Sequence, residues 1–477
     1  MQNAHNSTLS PRIILDKKRS SAYLTRICLT ASLAGFIFGF DTVVISGANL
    51  PIKHLWHTSP WFHGFFIMSM ALWGTVVGAL SGGIPTQRLG RKKVLIWVGI
   101  LFSLSSIGSA LAYDPYTFSM FRFIGGLGIG VSSVAAPTYI SEIATSSKRG
   151  RLVALYQFNI VFGILIAFLS NYLLKGVGGE NDWRWMLGVM AAPSLIYSAF
   201  VFGVPESPRW LITCKNDLIT SRKVLSDLGI EDVNAEVQSV VESYRHESGG
   251  GRTSVFSSRY TRILWLAFLV AFFNQWSGIN FILYYAPEIL ERSGLAAKES
   301  LFNSIAIGGI NLIFTFVGLY LIDRVGRRTL LLIGSFGYII SLATVAWCFY
   351  AHANSSVLMV FLLLFIASHS IGQGAVIWVF ISEIFPNKIR AFGQSFGAST
   401  HWVFAALITL ITPVFLDKDN GIFKDNPWPI FAFFAFMMVL QLFWVLAKVP
   451  ETKGKSLEEI EHLLVRGGND RGTAIRT

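Results

Sequence analysis

Asp41 lies well inside an apolar run from about Tyr23 to Leu50, a stretch long enough to cross a bilayer. A carboxylate at that depth costs about 2.5–3.5 kcal/mol on insertion scales, so a chain that keeps one there has a use for it. Among the other apolar runs, one more carries a formal charge in its interior, Arg122. At 1.5 Å per residue, Asp41 sits about 14 Å and Arg122 about 10 Å from the same end of their spans. The two depths permit contact if those helices are neighbours. Arg122 favours the ionised carboxylate and burial favours the protonated one, so the pair forms a proton site whose affinity changes with its separation. The plainer alternative is a fixed structural ion pair.

The elements that must position these residues are membrane helices. The chain has 477 residues, 53% hydrophobic and 14% charged, against about 25% charged in soluble domains. Twelve apolar spans fall near 23–50, 61–84, 94–112, 116–140, 152–174, 185–204, 262–287, 300–322, 329–351, 356–382, 392–416 and 428–448. The net charge of +12 comes from residues scattered among short hydrophilic gaps, which excludes a nucleic-acid face. Lys and Arg concentrate on the side of the N-terminus, which predicts that both termini are cytoplasmic. Cys28, Cys214 and Cys348 are far apart and imply neither a disulfide framework nor a metal site.

The expected organisation is a cytoplasmic segment 1–22, a six-helix bundle 23–204, a cytoplasmic helical linker 205–261, a second six-helix bundle 262–449 and a cytoplasmic tail 450–477. In the linker, Asp217 caps a short helix toward Leu228 that stops at Gly229. A second helix is expected from Asp232 to about Tyr244, before the flexible Ser248-Gly249-Gly250-Gly251. In the tail, Ser456-Leu457-Glu458-Glu459 reads as a capping box.

The two bundles repeat one another. Arg88-Leu89-Gly90-Arg91-Lys92 recurs as Arg324-Val325-Gly326-Arg327-Arg328, Tyr139-Ile140-Ser141-Glu142-Ile143 as Phe380-Ile381-Ser382-Glu383-Ile384, and Pro205-Glu206-Ser207 as Pro450-Glu451-Thr452. Three matched pairs in one order indicate duplication, hence a pseudo-two-fold axis along the membrane normal and a central site between the halves. These motifs, with Ile124-Gly125-Gly126-Leu127 through Gly130 to Arg149 and Asp323 before Arg324, resemble the sugar porter family of the major facilitator superfamily. Within it the chain is similar to bacterial proton-coupled xylose and glucose symporters. The resemblance spans Tyr23 to Leu464 and implies the twelve-helix major facilitator fold, all-α. One departure is Gln87, where many superfamily members carry Asp.

A sugar site needs amides and hydroxyl partners plus an aromatic face, with no nucleophile, metal or cofactor. By resemblance, Gln157, Gln275, Asn280, Asn311 and Trp378 contact sugar, Asn274, His401 and Trp402 are further candidates, and Tyr284 and Tyr285 form an outer gate. Gln275 and Asn280 are about 140° apart on an unbroken helix, so both reach one cavity only if the helix breaks, and Gly278 offers the break. Asn274 and His401 depart from the family's usual Gln or Asn. Ile164 replaces the Gln of the xylose porter and favours a hexose. His369 is the better fit to a satisfied core histidine. At the cytoplasmic ends, Arg91, Glu142, Arg149, Glu206, Arg327, Glu383, Arg390 and Glu451 are expected to form an ionic latch that closes the inside, the alternative being topology signals.

The function expected is a proton-coupled monosaccharide symporter, monomeric, in a plasma membrane and by preference a bacterial one, working by alternating access with the proton as coupling ion. A facilitative uniporter of the same fold is the alternative that Asp41 disfavours. A sugar sensor would typically carry a longer tail, and no catalytic constellation suggests a membrane enzyme.

Overall fold

The computed structural model describes residues 11–145, 148–248, 258–386, 389–455 and 457–466. Eleven helices are long and apolar enough to cross a membrane, and a bent pair, Pro60–Met68 with Met70–Ser81, supplies a twelfth span. The first half comprises α1 (Pro11–Trp56), α2 (Met70–Ser81), α3 (Arg91–Leu111), α4 (Pro115–Ile143), α5 (Arg149–Leu174) and α6 (Gly179–Phe202). Two short helices follow, α7 (Leu218–Asp227) and α8 (Val233–Ser248). The second half comprises α9 (Thr261–Trp276), α10 (Ile279–Arg292), α11 (Ala297–Val325), α12 (Arg327–Tyr350), α13 (Ser355–Ile371), α14 (Gln373–Ile384), α15 (Arg390–Leu416) and α16 (Trp428–Lys448), with α17 (Leu457–Glu461) after it.

Local chemistry sets the boundaries. Asp114 accepts from the backbone N–H groups of Tyr116 and Thr117 at 2.9 and 3.0 Å, and Pro115 follows at the first helical position, which starts α4. Those bonds and the Thr117 hydroxyl hold the Asp114 carboxyl below its usual range. Asp217 caps α7 through Thr220, and Gly229 ends it at φ +77°, as the sequence suggests. The second linker helix begins at Val233 within a residue of expectation. The glycine run 249–251 and Ser456 of the capping box lie outside the described residues.

Helices approach closely where side chains are small. A Cβ on Gly39 would run into the Ile160 carbonyl, and one on Gly163 into that of Phe36, so α1 and α5 pack backbone to backbone. That fixes the rotation of α1 and aims Asp41 into the first half. Between the halves, α1 packs on α10, α2 on α15 and α5 on α11.

Two spans of the second half are broken. α9 stops at Trp276, Gly278 adopts φ +87°, and α10 starts at Ile279. A side chain there would be strained by the backbone and would press on Phe434. The second break, at Gly372 between α13 and α14, was not foreseen from the sequence. Several bounds also differ from expectation: α1 begins at Pro11 and continues to Trp56, α6 begins at Gly179, and α10 continues to Arg292.

Candidate functional site

Asp41 and Arg122 meet. Arg122 Nη1 donates to Asp41 Oδ1 at 2.5 Å, with both side chains almost completely buried. Asp41 Oδ2 and Arg122 Nε find no hydrogen-bond partner among the described residues. The pair is therefore held at one oxygen and leaves the second able to take a proton. The phenol of Tyr284, itself buried, lies within the electrostatic reach of both charges.

A second cluster belongs to the other half. Gln275, at the end of α9, donates from Nε2 to Asn274 Oδ1 at 3.1 Å and sits 3.1 Å from the His401 ring nitrogens. The His401 ring lies 5.0 Å from Trp378 and 4.8 Å from Trp402, centroid to centroid. Trp402 touches Phe38 of α1 at 5.6 Å, which links this cluster to the first half. Five candidates thus come together: Asn274, Gln275, Trp378, His401 and Trp402. Trp378 is 39% exposed, while Trp402 on the other side of His401 is buried. Three candidates stand apart from that contact set. Asn311 accepts from Ser370 at 2.9 Å, while Asn280 and the half-buried Gln157 make no side-chain hydrogen bond among the described residues. The break at Gly278 is the one that Gln275 and Asn280 require in order to face one space.

His369 is buried and bonds the Tyr338 hydroxyl at 3.2 Å, a satisfied core histidine. Ile164 is buried on α5. Tyr284 and Tyr285 are both buried, and Tyr285 donates to the Thr409 carbonyl at 2.8 Å. The end of the bundle beyond these tyrosines is shut by bonds between the halves. Asn49 of α1 donates to Glu288 of α10 at 2.6 Å, and Lys53 pairs with Asp417 just after α15. Burial raises the proton affinity of Asp417, but the Lys53 bond and the backbone N–H groups of Asn420 and Asp419 outweigh it and hold the carboxyl below its usual range. The sequence reading missed Asn49, Lys53, Glu288 and Asp417. Its seventh span stopped at 287, one residue short of Glu288. Carrying the apolar face of Tyr284, Tyr285 and Ile289 one turn further would have exposed the misfit.

The opposite end, where the described chain begins at Pro11 and finishes at Arg466, is arranged differently. Arg91 Nη2 donates to Glu142 at 2.8 Å and Arg327 to Glu383 at 2.7 and 3.1 Å. Glu206 accepts from the backbone N–H groups of Arg91 and Lys92 at the start of α3; Glu451 does the same for Arg327 and Arg328 at the start of α12. Ser207 and Thr452 complete the carboxylates of Glu142 and Glu383 at 2.5 and 2.7 Å. Gly90 and Gly326 make the matching turns at φ +95° and +102°, where a side chain would collide with Glu206 and Glu451. Six of the eight latch candidates therefore form two networks, each inside one half. Arg149 and Arg390 instead donate to the carbonyls of Ser141 and Phe385. Among the described residues no ion pair or hydrogen bond joins the halves at this end. The groups of three or more His, Cys, Asp or Glu that would hold a metal are also absent among them.

The comparisons agree with this architecture. The arabinose-proton symporter of Bacillus subtilis is 35% identical over 96% of this chain and 98% of its own length. The galactose-proton symporter of Escherichia coli is 34% identical over 92% and 94%. A partially occluded, inward-open structure of the E. coli xylose transporter superposes with a TM-score of 0.80 at 29% identity, covering 91% of this chain and all of that one. The fold is thus the twelve-helix major facilitator fold of a multi-pass cell-membrane transporter, not an enzyme. The family model for sugar (and other) transporters matches residues 27–464, and the chain belongs to that family.

Proposed function

We propose that this chain is a proton-coupled monosaccharide symporter that works by alternating access. The observation that carries the reading is the Asp41–Arg122 contact, a fully buried ion pair with one carboxylate oxygen unpartnered. Protonation of Asp41 weakens its hold on Arg122, and Tyr284 stands close enough to respond. Proton binding is thereby linked to the gate. The amide and aromatic cluster of Gln275, Asn274, His401, Trp378 and Trp402 supplies hydrogen-bonding groups and a ring face for the sugar, with Asn280, Asn311 and Gln157 joining from neighbouring helices. Gln275 Oε1 is a buried acceptor without a partner among the described residues, a group that a sugar hydroxyl would satisfy.

The two halves, 23–204 and 262–449, move as bodies about this centre, joined by the linker 205–261. The basic ends face the cytoplasm, as do both termini, in a bacterial cell membrane; the protein works as a monomer without a cofactor. Names of relatives include pentose and hexose carriers and do not separate the two. The buried Ile164 favours a hexose, since it stands where the xylose porter carries Gln and many glucose porters carry an apolar residue.

The test is uptake into liposomes against a panel of labelled hexoses and pentoses, with and without a proton gradient. Asp41→Asn should abolish gradient-driven accumulation while sugar binding and sugar-for-sugar exchange survive, because the amide stands in for the protonated acid. Accumulation that persists in Asp41→Asn and stops when the gradient is collapsed would sink the assignment. A parent protein that equilibrates sugar without concentrating it is a uniporter.

A further inference from the structure

A polar chain seals the end of the bundle beyond the tyrosine gate, and neither the sugar cluster nor the Asp41 pair uses it. It runs Thr58 Oγ1 to His63 Nδ1 at 2.8 Å, His63 Nε2 to Asn49 Oδ1 at 2.7 Å, and Asn49 Nδ2 to Glu288 Oε2 at 2.6 Å. Asn49 and His63 are each 1% exposed and Glu288 9%. The donor directions are fixed. Asn49 Oδ1 only accepts, so His63 Nε2 carries the hydrogen; Nδ1 of a neutral His63 then accepts from Thr58. Every N–H and O–H therefore points toward Glu288. The chain also crosses the molecule: Thr58, Asn49 and His63 belong to the first half, Glu288 to the second.

The carboxyl is short of partners. Among the described residues one amide donates to it, and no Lys or Arg comes within ion-pair distance. The charged groups around it are engaged elsewhere. Lys53, one turn beyond Asn49 on α1, pairs with Asp417 and Asp419. Arg292, one turn beyond Glu288 on α10, donates to the carbonyls of Leu416, Phe423 and Lys424. At Glu288 the positive fields of Lys53 and Arg292 oppose the negative field of Asp417, and His63 feels Lys53, Asp417 and His54. A buried carboxylate with a single neutral donor is expensive, whereas the neutral acid is not. Parting the halves breaks the Asn49 bond and returns Glu288 to water, where the ionised form is cheap.

We propose that Glu288 is a second proton-binding site, separate from Asp41: it holds a proton while this end of the transporter is shut and releases it to the outside as the end opens. The residue thereby makes external acidity favour closure, by linkage between proton binding and the gate. Asn49 and His63 are its positioning residues, holding the amide donor on the carboxyl. The proposal rests on alternating access but not on sugar-proton symport.

The experiment places spin labels at Leu55→Cys and Ile422→Cys, exposed positions on the two halves at this end, in a Cys28→Ala, Cys214→Ser, Cys348→Ala background. The distance between labels is followed in liposomes from about pH 5 to 9, the range in which a buried carboxyl titrates. The parent should be short at the acid end and lengthen as pH rises. Glu288→Gln should stay short with its pH response lost, Glu288→Asp should respond with a displaced midpoint, and Asp41→Asn should keep a response. A Glu288→Gln curve that follows the parent overturns the proposal, as does a response removed entirely by Asp41→Asn. If Glu288→Gln does not reconstitute, an undisplaced midpoint in Glu288→Asp overturns it equally. Failure of sugar accumulation, measured separately, would remove the symport reading and leave this response standing.

Discussion

The two ends of the bundle carry similar chemistry to opposite effect. At the end where the described chain begins and finishes, arginines and glutamates are plentiful, and each network closes within its own half: Arg91 with Glu142, Arg327 with Glu383. At the other end Lys53 to Asp417 and Asn49 to Glu288 join one half to the other, beside contacts such as Lys175 with Asp182 that stay within the first half. What decides the state of an alternating-access protein is therefore not how many ion pairs an end has but whether they cross between halves. The networks at the terminal end brace the turns after the second span of each half; the bonds at the far end shut it. An ionic latch across the terminal end, if these carboxylates form one, belongs to the other access state.

The sharpest way to break this contrast is at Lys53. Its removal leaves Asp417 buried at one side of a cross-half contact. The loss of one partner of a buried pair costs about 3–5 kcal/mol, and the two backbone N–H donors that Asp417 keeps place this site at the low end. Lys53→Ala should shift the population toward the open far end by roughly 100-fold, the equivalent of about 3 kcal/mol. The measurement is accessibility of a cysteine introduced near Tyr285, probed from that side. Unchanged accessibility would mean that Asn49 and Glu288 suffice to close the end.

At the other end the same kind of cut should give a different phenotype. Glu383→Gln loses a bidentate partner of Arg327 and should lower the thermal stability by about 1–3 kcal/mol, since the pair is only partly buried. Glu142→Gln should do the same by a smaller margin, having a single contact to Arg91. If these carboxylates also bridge the halves when the inside closes, labelling from the far side should fall in both variants. Stability that drops with no change in labelling from either side confines the networks to bracing their own halves.

The two ends also differ in how far their residues could be read from the sequence. The duplicated Arg-x-Gly-Arg, Glu and Pro-Glu blocks announce the terminal networks because tight turns and helix starts are local, and the repeat names each partner. Asp41 and Arg122 stand out because a charge inside an apolar span has no cheap explanation. Their meeting needed only equal depth and adjacent helices. The break at Gly278 was also legible, since two site amides required it. Asn49, His63 and Glu288 were not, because each alone is an ordinary residue near a helix end; only the packing of α1 on α10, with the bent second span beside it, makes them a chain. The break at Gly372 was hidden for a different reason: the polar Ser368, His369, Ser370 and Gln373 around it lie between two apolar stretches that together read as one span. Arg149 and Arg390 depend on the state: their motif position suggests carboxylate partners when the inside is closed, and in this state nearby backbone carbonyls hold them.

The smallest effect concerns acid, and its sign separates the two carboxylates of the far end. Asp417 lies outside the membrane spans, with its carboxyl held below the usual range in the closed arrangement by Lys53 and two backbone N–H groups, against the opposing effect of burial. In the open arrangement Lys53 has moved away and the group returns toward an ordinary aspartate, near pH 4. A group whose affinity for protons is lowered in one state stabilises that state fully above the ordinary value and loses the contribution as pH falls through the lowered one. The Lys53–Asp417 bond should therefore be intact from neutrality down to about pH 4 and weaken only below it. Acid in that window should open the far end in the parent and leave Asp417→Asn unresponsive, as read by the same spin-label distance. Glu288 acts at higher pH and in the other direction, with protonation favouring closure. The distance should accordingly pass through a minimum in mild acid. Removing Asp417 should erase the rise on the acid side of that minimum, while Glu288→Gln erases the rise on the alkaline side.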